Sequence, residues 1–512
     1  LTALSPRIKI QAGKRLPINH FNMKKLLTAF GVLFSLAAHA QQNVLLEQSF
    51  WKTSPDVNAV KAEIAKGSNP AQFNSGSFDP VVLAINAQAP NETIKYLLAQ
   101  PGNEINKITH DSRNYLHWAA SRGNIEIMEY LVSKGAKANG IDSHGSTPIN
   151  FAAGAGQLNT KVYDICLANG GNLKKDLNHD GANALLVAVA NDKDLALTNY
   201  FVSKGLDLKS TDAAGNNAFS YAARAGNIDV LKALLQKGVP ANDNAFLMAA
   251  QGSRRGPNGI EVYQYLESLK LKPTVIGKNG ENALHALVRR PKQEEIIQYF
   301  LGKGVDVNQA DEDGNTVWMN AAASNRDTAT LNLLVSKVKN VNQGNAKGTT
   351  ALAMAVRGNS PEIVSYLISK GASVTMTDGK GENLAFYLVQ SYNAQKTDDF
   401  EAKAKILQDK GFKIAEPQKN GNTLYHLAVA KNDLSLVKRL ESYHIDVNAK
   451  NSEGITALHK AAMVSKDDVM MKYLISIGAK KDIVTNFQET AYDLAGENES
   501  LTKNNVTVNF LK

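Results

Sequence analysis

Along this chain apolar residues fall in short bursts at helical spacing, and the bursts come in pairs closed by glycines. The stretch from Asp111 to Gly140, DSRNYLHWAASRGNIEIMEYLVSKGAKANG, shows the grammar. Asn114 stands where a polar side chain can cap the first free N–H groups of a helix. Leu116, Ala119 and Ala120 give that helix one apolar face, and Gly123 can take the left-handed conformation that ends it. Ile125, Met128, Leu131 and Val132 mark the inward face of a second helix, which Gly135 stops. Residues 348–371 repeat the plan: Ser360 is predicted as a cap, Pro361 as the first helical residue and Gly371 as the terminator.

The pattern is periodic. Glycines that precede a first helix recur at 145, 181, 215, 280, 314, 348, 381, 421 and 454, in steps of 36, 34, 65, 34, 34, 33, 40 and 33, the 65 being two periods around one degenerate unit. Helices of about ten residues are marginal in water on their own, so each pair must lean on its neighbours. Small residues at one place in the period (Ala119-Ala120, Ala152-Ala153, Ala222-Ala223, Ala321-Ala322, Ala461-Ala462) let adjacent first helices approach closely. The prediction is an all-α solenoid with one core running along the array. Two places break the rhythm. Gly252 to Gly259 separates the helices of the unit Val239–Pro273, and Gln390 to Phe400 is extra in the unit around Tyr387 to Lys410. Such insertions map to a solenoid edge, as tolerated loops or as partner contacts.

These units resemble the ankyrin repeat, whose signature is a G-x-T-P-L-H-x-A run in about 33 residues. Gly454-Ile455-Thr456-Ala457-Leu458-His459-Lys460-Ala461 lacks only the proline, Gly145-Ser146-Thr147-Pro148-Ile149 keeps it, and Gly304-Val305-Asp306-Val307-Asn308 is similar to the family's G-A-D-V-N ending. Asn183, Asn217, Asn282 and Asn383 replace the family's Thr, and Asn caps a helix as well. The resemblance covers roughly Gly76 to Gly496, about 12 to 13 units in an ankyrin-repeat solenoid. It implies short hairpin loops between helix pairs and a concave groove lined by hairpin tips and first helices.

Outside the repeats, Met23 opens a stretch with the three parts of a secretory signal peptide: Lys24 and Lys25, the apolar run Leu26 to Ala37, and Ala38-His39-Ala40, with cleavage expected after Ala40. The expected organisation is 1–22 upstream of the native start, 23–40 the signal peptide, 41–75 an N-terminal capping unit, 76–483 the repeats, and 484–512 a C-terminal capping unit and tail. The first forty residues hold six cations (Arg7, Lys9, Lys14, Arg15, Lys24, Lys25) and no acid, so without them the net charge falls from +9 to +3. That balance is not the basic surface of a nucleic-acid binder. Cys166 is the single cysteine, which rules out an internal disulfide and any Cys-rich metal site, and no lipobox Cys follows the leader. No apolar run of membrane-spanning length follows the leader either, so the mature chain is not expected to insert in a membrane.

Reactive constellations are missing from the sequence: no GxxxxGK loop, HExxH, GxSxG or paired CxxC occurs, and Gly154-Ala155-Gly156 lies where turn glycines belong. His117, His285, His426 and His459 share one repeat position, which sets them in a ladder rather than around a metal, and in the resembling family this histidine is a structural hydrogen-bonder. Trp118, Phe151, Tyr221 and Tyr387 follow that slot and read as packing residues, and Cys166 as a buried thiol. An enzyme would need convergence hidden from the linear sequence, for instance His144 and His179 meeting with Asp142 or Asp180 around a metal. No cofactor and no catalytic residue is expected.

One feature suggests a surface. At the last turn of the first helices stand Arg122, Arg224, Arg289, Arg290, Arg357 and Lys431. Guanidinium groups along a groove bind carboxylates in forked pairs, which points to an acidic protein segment as partner. The same cations would also favour the helix dipole with nothing bound. Together these features imply a non-enzymatic protein-binding scaffold in the periplasm that holds or protects an exported partner; the alternative is a secreted effector that meets host or competitor proteins.

Overall fold

A computed structural model describes residues 43–253 and 256–512. The leader at 23–40, the segment before it, and the two arginines of the 252–259 insertion lie outside the described residues. The rest is helix pairs, with only isolated bridges as β structure among the described residues. The all-α repeat architecture therefore stands as expected.

Local chemistry sets the helix ends. Asn114 accepts the His117 N–H, Asn217 the Ser220 N–H and Thr456 the His459 N–H, each filling an orphan donor of a first helix. Gly123, at φ 69°, ends Tyr115–Arg122. Ser360 does sit before Pro361, but its side chain makes no capping bond to the helix backbone; its neighbour Asn359 instead points back into the preceding repeat, bonding Ala322 O and Asn325 O at 2.8 Å.

The chain divides into two compact units, one ending at Asn178 and one beginning at His179. In the first, Pro80–Asn86, Tyr115–Arg122 and Pro148–Gly154 stack as one row, while Val57–Ala65, Asn91–Leu98, Ile125–Ser133 and Thr160–Ala168 stack as another. In the second, first helices succeed one another from Ala184–Val189 to Ala491–Glu497, each carrying its own second helix. The contact between neighbouring first helices is made by the predicted small residues: Ala119, Ala120, Ala152, Ala153, Ala223, Ala321, Ala322, Ala461 and Ala462 are fully buried. Leu131, Leu234, Leu334 and Leu367 are equally inaccessible on the second helices. At about 1.5–3 kcal/mol for each fully buried Leu, this core shared along the array is a main source of its stabilisation.

Between pairs the chain turns through hairpins. The periodic glycines all have φ between 74° and 81° and sit in the hairpin three residues before the helix starts. Gly314 and Gly348 need glycine twice over, because a Cβ there would also lie 2.5 Å from the backbone N of Ala346 or Gly379 in the next hairpin. That closeness lets hairpins bond in series: Ser143 N–H to Asp111 O (2.8 Å), Ala346 N–H to Asp313 O (2.9 Å) and Gly379 N–H to Lys347 O (2.8 Å).

The irregular unit differs from a loop insertion. The extra residues lengthen the second helix to Thr397–Asp409, and Tyr392 and Phe400 turn inward, buried and edge-to-face at 5.4 Å. Two large aromatic side chains within the insertion drive it into the core. At the chain ends, Trp51 is buried with its indole N–H on Leu45 O (2.9 Å), and Leu501 and Leu511 are buried beside the last pair.

Candidate functional site

The last carbonyls of every first helix have no partner within the helix. In this chain the following repeat supplies one. Asn258 Nδ2 donates to Ala223 O (3.2 Å) and Ala249 O (2.9 Å), Asn325 to Val288 O (3.0 Å), and Asn498 to Ala462 O and Ser465 O (2.9 Å each). Lys403 does the same from the lengthened helix: it is 3% exposed, its ammonium lies 3.0 Å from Val356 O, and burial lowers its pKa.

Arg122, Arg224 and Arg357 stand in the last turn of a first helix, whereas Arg289, Arg290 and Lys431 lie just past the helix end, and five of these six cations bond in one of two registers. Arg122, Arg290 and Lys431 reach back to the preceding repeat. Arg122 Nε bonds Asn86 Oδ1 (3.0 Å), Arg290 bonds Gln251 O, and Lys431 Nζ bonds Val389 O (3.0 Å), Gln390 O (3.4 Å) and Tyr392 O (2.7 Å) while lying over the Tyr392 ring. Lys431 is thus a helix cap in its own right, with its pKa lowered by burial. Arg224 and Arg289 reach forward instead, to Gly252 O (3.0 Å) and Asn320 Oδ1 (2.8 Å). Arg357 is exposed and makes no hydrogen bond or ion pair among the described residues. A guanidinium has five N–H donors, so Arg122, Arg224 and Arg289, each exposed and using one, keep donors for a ligand. In the last first helix the equivalent turn carries an exposed acid, Glu497.

The histidine ladder is internal. In His117, His285, His426 and His459 Nδ1 meets the capping side chain (Asn114, Asn282, Thr423 and Thr456, 2.8–3.0 Å) and Nε2 meets a hairpin carbonyl of the next repeat (Ser146, Asn315, Ile455 and Ile483, 2.8–3.2 Å). Burial lowers all four pKa values, His117 to about 4. Cys166 is buried, its thiol pushed up to about 12 by desolvation, which suppresses the nucleophilic thiolate. His144 turns to Asp111, 3.5 Å away. Among the described residues no group of three or more His, Cys, Asp and Glu is placed to hold a metal.

What sequence reasoning missed is the capping function of Asn258, Asn325 and Asn498. The signal was there: an Asn recurs where the second helix is about to begin, but its partners in the preceding repeat lie 33 to 37 residues back. Arg113 was missed too. It links Asp142 (2.9 Å) and Asp111 (3.0 Å) and lies 4.1 Å from the Phe151 ring centroid.

Stacked helix pairs, bonded hairpin to hairpin and presenting polar groups at their helix ends, define a repeat scaffold for protein–protein interaction. The chain belongs to the ankyrin-repeat family. The family described as Ankyrin repeats (3 copies) matches residues 81–165, 161–245, 284–378 and 425–506, more than half of the chain. Similar proteins include the human transient receptor potential cation channel subfamily A member 1 (22% identical over 71% of this chain and 36% of that protein). Alpha-latroinsectotoxin-Lt1a of Latrodectus tredecimguttatus is 24% identical over 80% of this chain and 29% of the toxin. Phosphocholine transferase AnkX of Legionella pneumophila is 34% identical over 22% of this chain and 12% of the enzyme. The chain spans about a third or less of the length of these relatives. Among the described residues no helix is long and apolar enough to cross a membrane.

Proposed function

We propose that this chain is a non-enzymatic protein-binding scaffold, exported to the periplasm, that holds an acidic segment of another exported protein against the helix ends of its concave face. The observation that carries the reading is Arg357, exposed and unspent, in the same last-turn setting as Arg122 and Arg224, which each use one donor. Export rests on the leader at 23–40, with 41–75 and 484–512 as capping units. Arg290 and Lys431 serve the fold on this reading, and Arg122, Arg224, Arg289 and Arg357 serve the partner.

The test is recovery of a partner from periplasmic extract with tagged chain, repeated with Arg289→Glu and Arg357→Glu together. The same partner should be lost with the double variant while the melting temperature holds; equal recovery by both proteins refutes the arginines as its site. A second reading, a released effector, is favoured by the likeness to a spider toxin. Cell fractionation separates the two, since an effector accumulates in the medium and a periplasmic scaffold does not.

A further inference from the structure

Four large apolar side chains in the first unit are exposed at one repeated position. Phe73, Ile108, Ile141 and Leu177 are 41%, 59%, 62% and 44% exposed, and each stands seven residues before a first helix, at Pro80, Tyr115, Pro148 and Ala184. The fold does not demand it, because the same position in the second unit holds Thr211, Gly238, Ala310, Gly344, Thr377 and Lys450, and its one large exposed apolar residue, Ile276 (46%), stands alone between Gly238 and Ala310. Exposed apolar groups in an unbroken row, rather than scattered singly, mark an interaction surface.

Two observations say what would cover the row. The hairpins are locked in register by backbone bonds, His110 N–H to Ser77 O (2.9 Å) and Ser143 N–H to Asp111 O (2.8 Å), so the row advances one repeat at a time, about 10 Å, the spacing of packed helices. An α-helix rises about 10.5 Å in seven residues, whereas a strand brings side chains to one face about every 6.7 Å and falls out of step. The second observation is charge. Lys137, Lys174 and Lys175 sit on the loops leading to Ile141 and Leu177, exposed and without an ion pair among the described residues. Asp176 on the same loop turns back to accept the Asn172 N–H (2.8 Å), and Lys107, beside Ile108, is already spent on buried Asp79 (2.8 Å) with its ammonium 4.5 Å from the Phe73 ring centroid.

We propose that the row Phe73, Ile108, Ile141 and Leu177 docks an amphipathic helix of a partner protein that carries apolar side chains at seven-residue intervals and carboxylates along the flank facing Lys137, Lys174 and Lys175. The site rests on the chain being a protein-binding scaffold, but not on the arginines of the helix ends, which are separate residues.

The experiment places a photo-crosslinking residue at position 108, 141 or 357 of the full chain in the producing cells and maps the captured peptides by mass spectrometry. The row is supported if the probes at 108 and 141 capture one acidic segment at points seven residues apart, and if Lys174→Glu with Lys175→Glu lowers that capture at least tenfold while thermal unfolding is unchanged. Capture of lipid, of a second copy of this chain, of a segment contacted three residues apart as an extended polyproline strand would be, or of nothing at 108 and 141, overturns it. The probe at 357 keeps the two sites apart: capture there with none at the row leaves the helix-end reading standing and sinks the row alone.

Discussion

His117 makes stability depend on pH in a calculable way. Its ring is 1% exposed, held between Asn114 and the Ser146 carbonyl, and its pKa is lowered from 6.5 to about 4, chiefly by desolvation of the charged form. Between those two values the unfolded chain binds a proton that the native chain refuses. Stability therefore rises with pH across the window and falls on acidification. The contribution of this residue is complete above pH 6.5, shrinks by about 1.4 kcal/mol per unit below it, and levels off near pH 4 after a total of about 3 kcal/mol. His285, His426 and His459, shifted in the same direction, steepen the decline in the second unit. The assay is urea unfolding at half-unit pH steps from 7.5 to 4, for the wild type and for His117→Gln, whose side chain does not titrate. The variant starts less stable, because the ring's packing and bonds are altered, and has the shallower pH slope. Parallel slopes, or an imidazole that titrates near 6.5 by NMR in the native protein, would refute the buried neutral ring.

Other consequences can be measured on the same chain. Gly348→Ala forces a φ of 75° on an L residue and sets its Cβ 2.5 Å from Gly379 N, so thermal unfolding should show a loss of about 1–3 kcal/mol. Lys431→Met takes the ammonium from the Gln390 and Tyr392 carbonyls, and leaves Val389 O only the Tyr392 N–H, so it should cost about 1–3 kcal/mol in denaturant unfolding, whereas Arg357→Ala, with nothing to lose, should stay within about 0.5 kcal/mol.

The sequence carried the fold to the reader because its instructions are local. Asn114, Gly123 and the alanine pairs declare helix starts, stops and close contacts within a few residues of where they act, and the glycine steps of 33 and 34 declare the repeat. The cations were harder to read. Arg289 and Arg290 are neighbours in sequence, in the turn just past the helix end, yet bond in opposite directions, one to Asn320 ahead and one to Gln251 behind, partners a whole repeat away. Ser360 misled because its neighbour Asn359 bonds into the preceding repeat, and the insertion at 390–400 because Tyr392 and Phe400 pack on each other in the core instead of leaving a surface loop. The row from Phe73 to Leu177 left no periodic signal strong enough to notice, since only exposure distinguishes an edge isoleucine from a core one.

The central claim is that these helix pairs have no interior of their own and fold only against each other. Circular dichroism of the isolated segment 111–140, beside the full chain, tests it most directly. The segment should show little helix and a shallow, non-cooperative response to urea while the chain unfolds cooperatively. A sharp transition in the segment alone would mean that each pair is a self-sufficient globule, contradicting the account.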